Sequence, residues 1–173
     1  SLLGLTFPCT QCRLQTLQVQ GKCLNTIELT YQDIDNAWKA DAPIRMDRYE
    51  EEAAKVPKLH SKYLSYYVGV TSALRKLERV YLEMRRIKTR YYLGELTKEE
   101  LTEYKWTQYQ KPKPLKTEME GLIDTDSDIL DCVEELERLR LMRDQLERII
   151  KSIASRGYDI KNAIEFHKFT QGG

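Results

Sequence analysis

The chain has 173 residues and a formal net charge of +1, with 32% charged and 41% hydrophobic residues, 8 glycines and 5 prolines. That length suits one domain or two small helical ones, and the composition suits an all-helical protein with much exposed surface. A near-neutral sum excludes a global electrostatic drive toward DNA or membrane, and no apolar run approaches the ~18 residues of a transmembrane helix.

Residues 1–26 carry no clear period and are read as a poorly ordered leader. Their opening, S-L-L-G-L-T-F, is apolar but lacks a basic residue, so a signal peptide is not expected. Cys9 and Cys12 form a C-x-x-C pair with Cys23 nearby, whereas Cys132, His60 and His167 lie far along the chain. A zinc site needs four ligands at short spacing, so plain reduced thiols are the first reading and a zinc module at Cys9, Cys12 and Cys23 the lesser one.

A helical region is expected over 27–110. Thr30 can cap a first helix carrying Ile34, Ala37 and Trp38, which Asp41-Ala42-Pro43 ends, because a residue before proline is pushed out of the helical region. Asp47 is the next candidate cap. A helix is then expected from Arg48 to Leu93, kinked or split at Pro57. Tyr63, Tyr66 or Tyr67, Val70, Leu74, Leu77, Tyr81, Met84 and Ile87 recur every three or four residues as an apolar stripe. Arg75, Arg79, Arg86 and Arg90 recur on another face, with Lys76 and Arg85 beside it. Gly94 breaks the pattern. Thr97 and Glu100 make a capping box for a helix to about Tyr109, and the fold-back should bring Lys105 and Tyr109 close to Arg90 and Tyr91.

Lys111-Pro112-Lys113-Pro114 cannot be helical and forms a linker over 111–116. A C-terminal helical region follows over 117–173. Asp124 and Asp126 open its longest pattern, with Ile129, Val133, Leu136, Leu139, Met142, Leu146, Ile149 and Ile153 in one stripe. Gly157 is read as its C-cap, and Asp159 as the cap of a short second helix with Ile160, Ile164, Phe166 and Phe169. The fold class is therefore all-α: a long helical hairpin plus a C-terminal helix pair, joined by a Pro/Lys linker.

Charge is distributed unevenly. From 75 to 116 there are twelve Lys/Arg against six Asp/Glu; from 117 to 150 there are eleven acids against four bases. The densest basic stretch, Arg85-Arg86-Ile87-Lys88-Thr89-Arg90-Tyr91-Tyr92, joins four cations to two adjacent rings. Cations attract phosphates, and tyrosine faces accept unpaired bases, so the stretch is a candidate grip for single-stranded nucleic acid. A solvated helix face with half-buried tyrosines is the plain alternative. Lys76, Arg79, Lys105 and Lys111 would extend the basic surface. No Walker-type loop, G-x-G-x-x-G or histidine pair is present, so neither enzymatic activity, nor a cofactor, nor a metal is expected.

The run Ile150-Lys151-Ser152-Ile153-Ala154-Ser155-Arg156-Gly157-Tyr158-Asp159-Ile160-Lys161 resembles the I-K-S-R-G-[aromatic]-x-I-K signature of the UvsY family, the recombination mediators of large tailed phages. Three other stretches agree in order: the acidic entry from Thr117-Glu118-Met119-Glu120 to Ile129-Leu130, Lys88-Thr89-Arg90 with Tyr91 and Tyr92, and Ser61-Lys62-Tyr63. The likeness spans about residues 27–171. Here the tyrosines follow Arg90 directly, one spacer residue short of the family pattern, and the linker is richer in Pro and Lys.

The resemblance implies a non-enzymatic accessory protein, without cofactor, acting in the cytoplasm of the infected bacterial host. It implies binding of single-stranded DNA, with Lys88 and Arg90 as contacts. The implied partners are the phage recombinase, the phage single-strand-binding protein and further copies of the chain. The copies would form a ring-like homo-oligomer, a hexamer or heptamer, held by Leu146, Ile149, Ile150, Ile153, Tyr158, Ile160, Ile164, Phe166 and Phe169. A helical coiled-coil scaffold that does not bind DNA, with its basic and acidic blocks paired between subunits, is the rival reading.

Overall fold

In a computed structural model, residues 28–45 and 47–171 are described, and the expectations for the leader and for Cys9, Cys12 and Cys23 lie outside them. The described residues form five helices and no strand: α1 (Tyr31–Asp41), α2 (Tyr49–Tyr92), α3 (Lys98–Tyr104), α4 (Lys116–Asp124) and α5 (Ser127–Gln171). They divide into two compact units, one of Arg75–Leu136 and one of 28–74 with 137–171, and the two long helices contribute to both.

The second unit is built on α1, the first half of α2 and most of α5. Thr30 caps α1, as the sequence predicts, and Asp33 completes a capping box with it. Ile34 and Tyr63 are fully buried, and Trp38 meets the Tyr63 ring edge-on at 5.6 Å. Tyr63 donates its hydroxyl to Asp41 at 2.9 Å, and Lys62 pairs with the same carboxylate at 2.7 Å. Burial raises the Asp41 carboxyl, but these two donors outweigh it and hold the group below its ordinary range. Arg156 comes from α5 to the end of α1. Its guanidinium donates to the carbonyls of Asp41, Ala42 and Pro43 at 3.3, 2.8 and 3.0 Å and to Glu52 Oε2 at 2.7 Å. The last carbonyls of a helix lack intrahelical donors, so this one cation satisfies several acceptors at once. Arg156 and Glu52 are both nearly inaccessible.

Three expectations about helix breaks are corrected. Pro57 does not split α2, which runs unbroken for 44 residues. Pro57 and Ala53 both face solvent, so water can take the carbonyl that proline leaves without a donor. Gly157 does not end a helix, and Asp159 does not start one: α5 runs for 45 residues through both. The buried positions Ile149, Ile153, Arg156 and Ile160 keep one register across the glycine. Packing along that face exceeds the ~1 kcal/mol that an interior glycine costs. The expected C-terminal helix pair is thus a single helix, preceded by the short α4. Asp47 is a turn residue two positions before the helix start rather than its cap.

Candidate nucleic-acid interface

The unit of Arg75–Leu136 holds the basic, tyrosine-bearing stretch. α2 ends where Gly94 takes a left-handed φ of 70°, a conformation open to glycine at little cost. Thr97 then caps α3, accepting the Glu100 N–H at 3.2 Å while Glu100 accepts the Thr97 N–H at 2.9 Å. α3 stops at Tyr104, short of the expected Tyr109, because Lys105 turns left-handed at φ 57°. The return arm of the hairpin is therefore one short helix followed by non-helical chain. That chain still brings Tyr109 to Tyr91 and Tyr92, at ring distances of 5.8 and 5.1 Å.

The apolar stripe of α2 seats Met84 with Ile123 and Ile129, and Ile87 with Leu96 and Leu101. Lys88 lies four residues beyond Met84, on the buried side. It is 5% exposed, with its ammonium 2.9 Å from Asp126 Oδ1, 2.6 Å from Asp128 Oδ2 and 4.1 Å from the centroid of the Trp106 ring. Tyr92 donates to Asp126 Oδ2 at 2.7 Å. Burial raises the Asp126 carboxyl, but the Tyr92 hydroxyl and the Lys88 ammonium outweigh it and hold the group below the ordinary aspartate value. Burial, and then that carboxylate, push the Tyr92 phenol up. Asp126 also caps α5, accepting the Asp128 N–H at 3.0 Å. One carboxylate thus fixes the start of α5, a lysine and a tyrosine. Deeper in the unit, Cys132 is fully buried, and burial raises its thiol to about 11. It is an unreactive core residue.

The other cations of the stretch are also engaged. Arg90 forks onto Glu100, the capping-box partner of Thr97, at 2.9 and 3.0 Å, and the pair raises the guanidinium and lowers the carboxyl. Arg85 pairs with Asp124 at 2.6 Å and donates to the Tyr81 hydroxyl at 3.0 Å. Arg86 pairs with Glu83 at 2.6 Å, but its side chain is 67% exposed. The candidate contacts therefore separate. Lys88, Arg85 and Arg90 are tied into ion pairs within the unit rather than standing as an open cationic row. Arg86, Lys76, Arg79, Lys105 and Lys111 face solvent. Lys76, Lys105 and Lys111 make no ion pair with any described residue.

Tyr91 and Tyr92 are half-buried. Tyr91 donates to the Thr107 carbonyl at 3.0 Å and touches Trp106 at 5.2 Å. With Trp106 and Tyr109 they surround a hollow of about 390 Å³, whose wall is completed by Lys88, Lys111, Leu122, Asp126 and Asp128. Sequence reading missed Trp106, Asp126 and Asp128 as members of this site. Lys88 itself carried the signal, since a cation in register with Met84 on an apolar stripe needs acidic partners.

The residues assigned to subunit contacts separate as well. Leu146, Ile149, Ile153 and Ile160 are at most 4% exposed inside their own unit. Core packing within the chain already takes their side chains. Ile150 and Ile164 are half-buried, while Tyr158, Phe166 and Phe169 are 68, 70 and 83% exposed. Among the described residues no helix is long and apolar enough to cross a membrane, and no cluster of His, Cys, Asp and Glu could hold a metal.

Residues 37–173 match the protein family described as "Recombination, repair and ssDNA binding protein UvsY". The fold is similar to crystal structures of the bacteriophage T4 recombination mediator protein UvsY. Against lattice type II the TM-score is 0.71 at 22% identity, covering 84% of this chain and 100% of that one. Against lattice type I it is 0.70 at 22% identity, with 80% and 98% covered. Against lattice type IV it is 0.69 at 20% identity, with 82% and 99% covered. No curated protein sequence matches.

Proposed function

Because the chain belongs to the UvsY family of recombination, repair and ssDNA-binding proteins, we propose that it is a non-enzymatic phage recombination mediator. It binds single-stranded DNA and helps load the phage recombinase in place of the single-strand-binding protein, in the cytoplasm of the infected host. Copies assemble through the exposed C-terminal residues Tyr158, Phe166 and Phe169, flanked by Ile150 and Ile164, into a ring-like hexamer or heptamer. Many modest grips then act on one strand, and linked sites raise avidity without new contacts.

The observation that carries the DNA reading is the solvent-facing set Lys76, Arg79, Arg86, Lys105 and Lys111, in the same unit as a ring-lined hollow. Phosphates compete well for such cations. The Arg86–Glu83 pair is exposed, and an exposed pair contributes only about 0–1 kcal/mol. Lys88, Arg85 and Arg90 act one step back, by holding the rings and α3 in place.

Replacing Lys76, Arg79 and Arg86 together by Ala should weaken binding to an oligonucleotide and lower its salt slope by about 2, at ~0.7 per phosphate contact. Anisotropy titrations at several salt concentrations, beside light scattering to verify an unchanged assembly, measure this. An unaltered slope refutes the assignment. The scaffold reading has one observation in its favour: Arg85 and Lys88 of the basic block pair with Asp124, Asp126 and Asp128 of the acidic block. That pairing lies within the chain, however, and Lys76, Arg79, Arg86, Lys105 and Lys111 face solvent.

A further inference from the structure

We infer that the hollow between Tyr91, Tyr92, Trp106 and Tyr109 seats one unstacked nucleobase bearing an exocyclic amino group, with that amino group on Asp128 and the neighbouring phosphate on Lys111. This inference rests on the single-stranded DNA reading and adds base selectivity to it.

Three observations lead to it. The first is shape. The hollow of about 390 Å³ lies at the lower end of the ~300–1,000 Å³ typical of small-ligand pockets. The contacting rings around it meet at 59–89°, so they do not stack on one another in parallel. A planar guest can lie on one ring and touch the others edge-on, which are the two favoured aromatic arrangements.

The second is hydrogen-bonding capacity. Both Asp126 oxygens are taken: Oδ1 by Lys88 and the Asp128 N–H, Oδ2 by Tyr92. Asp128 gives Oδ2 to Lys88. Its Oδ1 accepts from no described residue, and the side chain is 32% exposed on the wall of the hollow. An ionised carboxylate only accepts, so it selects a donor. Carboxylates accept from the N4 amino group of cytosine, whereas thymine offers the O4 carbonyl at that place. The third is charge. Lys111 lines the hollow, faces solvent and makes no ion pair with a described residue, so a phosphate beside the seated base meets a cation with no competitor.

Trp106 reports on the site. The chain has two tryptophans, and Trp38 lies in the other unit, so Trp38→Phe leaves Trp106 as the single emitter. Titrating that full-length variant with oligo-dC should change its emission saturably. In the unsubstituted chain, anisotropy at matched length and salt should place oligo-dC about tenfold tighter than oligo-dT, the scale of one hydrogen bond to a charged group. Asp128→Asn should bring that ratio toward one while both oligomers still bind. If anisotropy reports binding but Trp106 emission stays flat, or oligo-dT binds as tightly as oligo-dC in the unsubstituted chain, the base seat is wrong and strand binding stands. If neither oligomer binds, the DNA reading falls with it.

Discussion

Lys88 and Arg156 share one situation. Each is a cation on an apolar stripe, Lys88 in step with Met84 and Arg156 with Ile149, Ile153 and Ile160, and each is neutralised by carboxylates from a distant part of the sequence. Removing one partner of a buried pair costs about 3–5 kcal/mol, because the other charge stays without compensation. Asp128 is one-third exposed, which places Lys88→Met toward the low end, at about 3 kcal/mol. Lys76→Ala, on the open face, should change stability by no more than about 0.5 kcal/mol. Urea denaturation of the two variants side by side tests the separation; equal stabilities would return Lys88 to the surface. A loss of DNA binding in a Lys88 variant is therefore interpretable only alongside its stability.

Among the helices and turns, a boundary that depends on neighbours in sequence was legible. Thr30 with Asp33 and Thr97 with Glu100 form their capping boxes, and Gly94 takes the left-handed turn. Where local signals opposed a continuous packing face, the face prevailed, at Pro57 and at Gly157. Gly157 sits inside α5, and a Cβ at that position would meet nothing within 4 Å, so it is a helix position that glycine weakens. Gly157→Ala should raise the stability of the protein by about 0.5–1 kcal/mol, by restricting the unfolded chain. A shift of the urea midpoint to higher concentration measures it. A fall would mean that the glycine is needed for an approach between copies, since nothing among the described residues requires it.

For the molecule as a whole, the rings of Tyr158, Phe166 and Phe169 near the end of α5 are among the most exposed large apolar side chains of the described residues. Phe166→Ser with Phe169→Ser should reduce the mass seen by light scattering while leaving helicity and protomer stability within about 0.5 kcal/mol. An unchanged mass would move the subunit contact elsewhere. The sequence by itself determined the all-α class, the two apolar stripes, the caps at Thr30 and Thr97, the non-helical segment 111–114 and the nomination of 85–92, because each depends on periodicity or on residues a few positions apart. Only the tertiary structure decided which cations stay open to a ligand. Asp124, Asp126, Asp128 and Glu100 reach Arg85, Lys88 and Arg90 across 10 to 40 residues of chain, and spacing along a sequence carries no information about such meetings. The same holds for the ring-lined hollow, which exists only because the non-helical chain after α3 returns Trp106 and Tyr109 to Tyr91 and Tyr92.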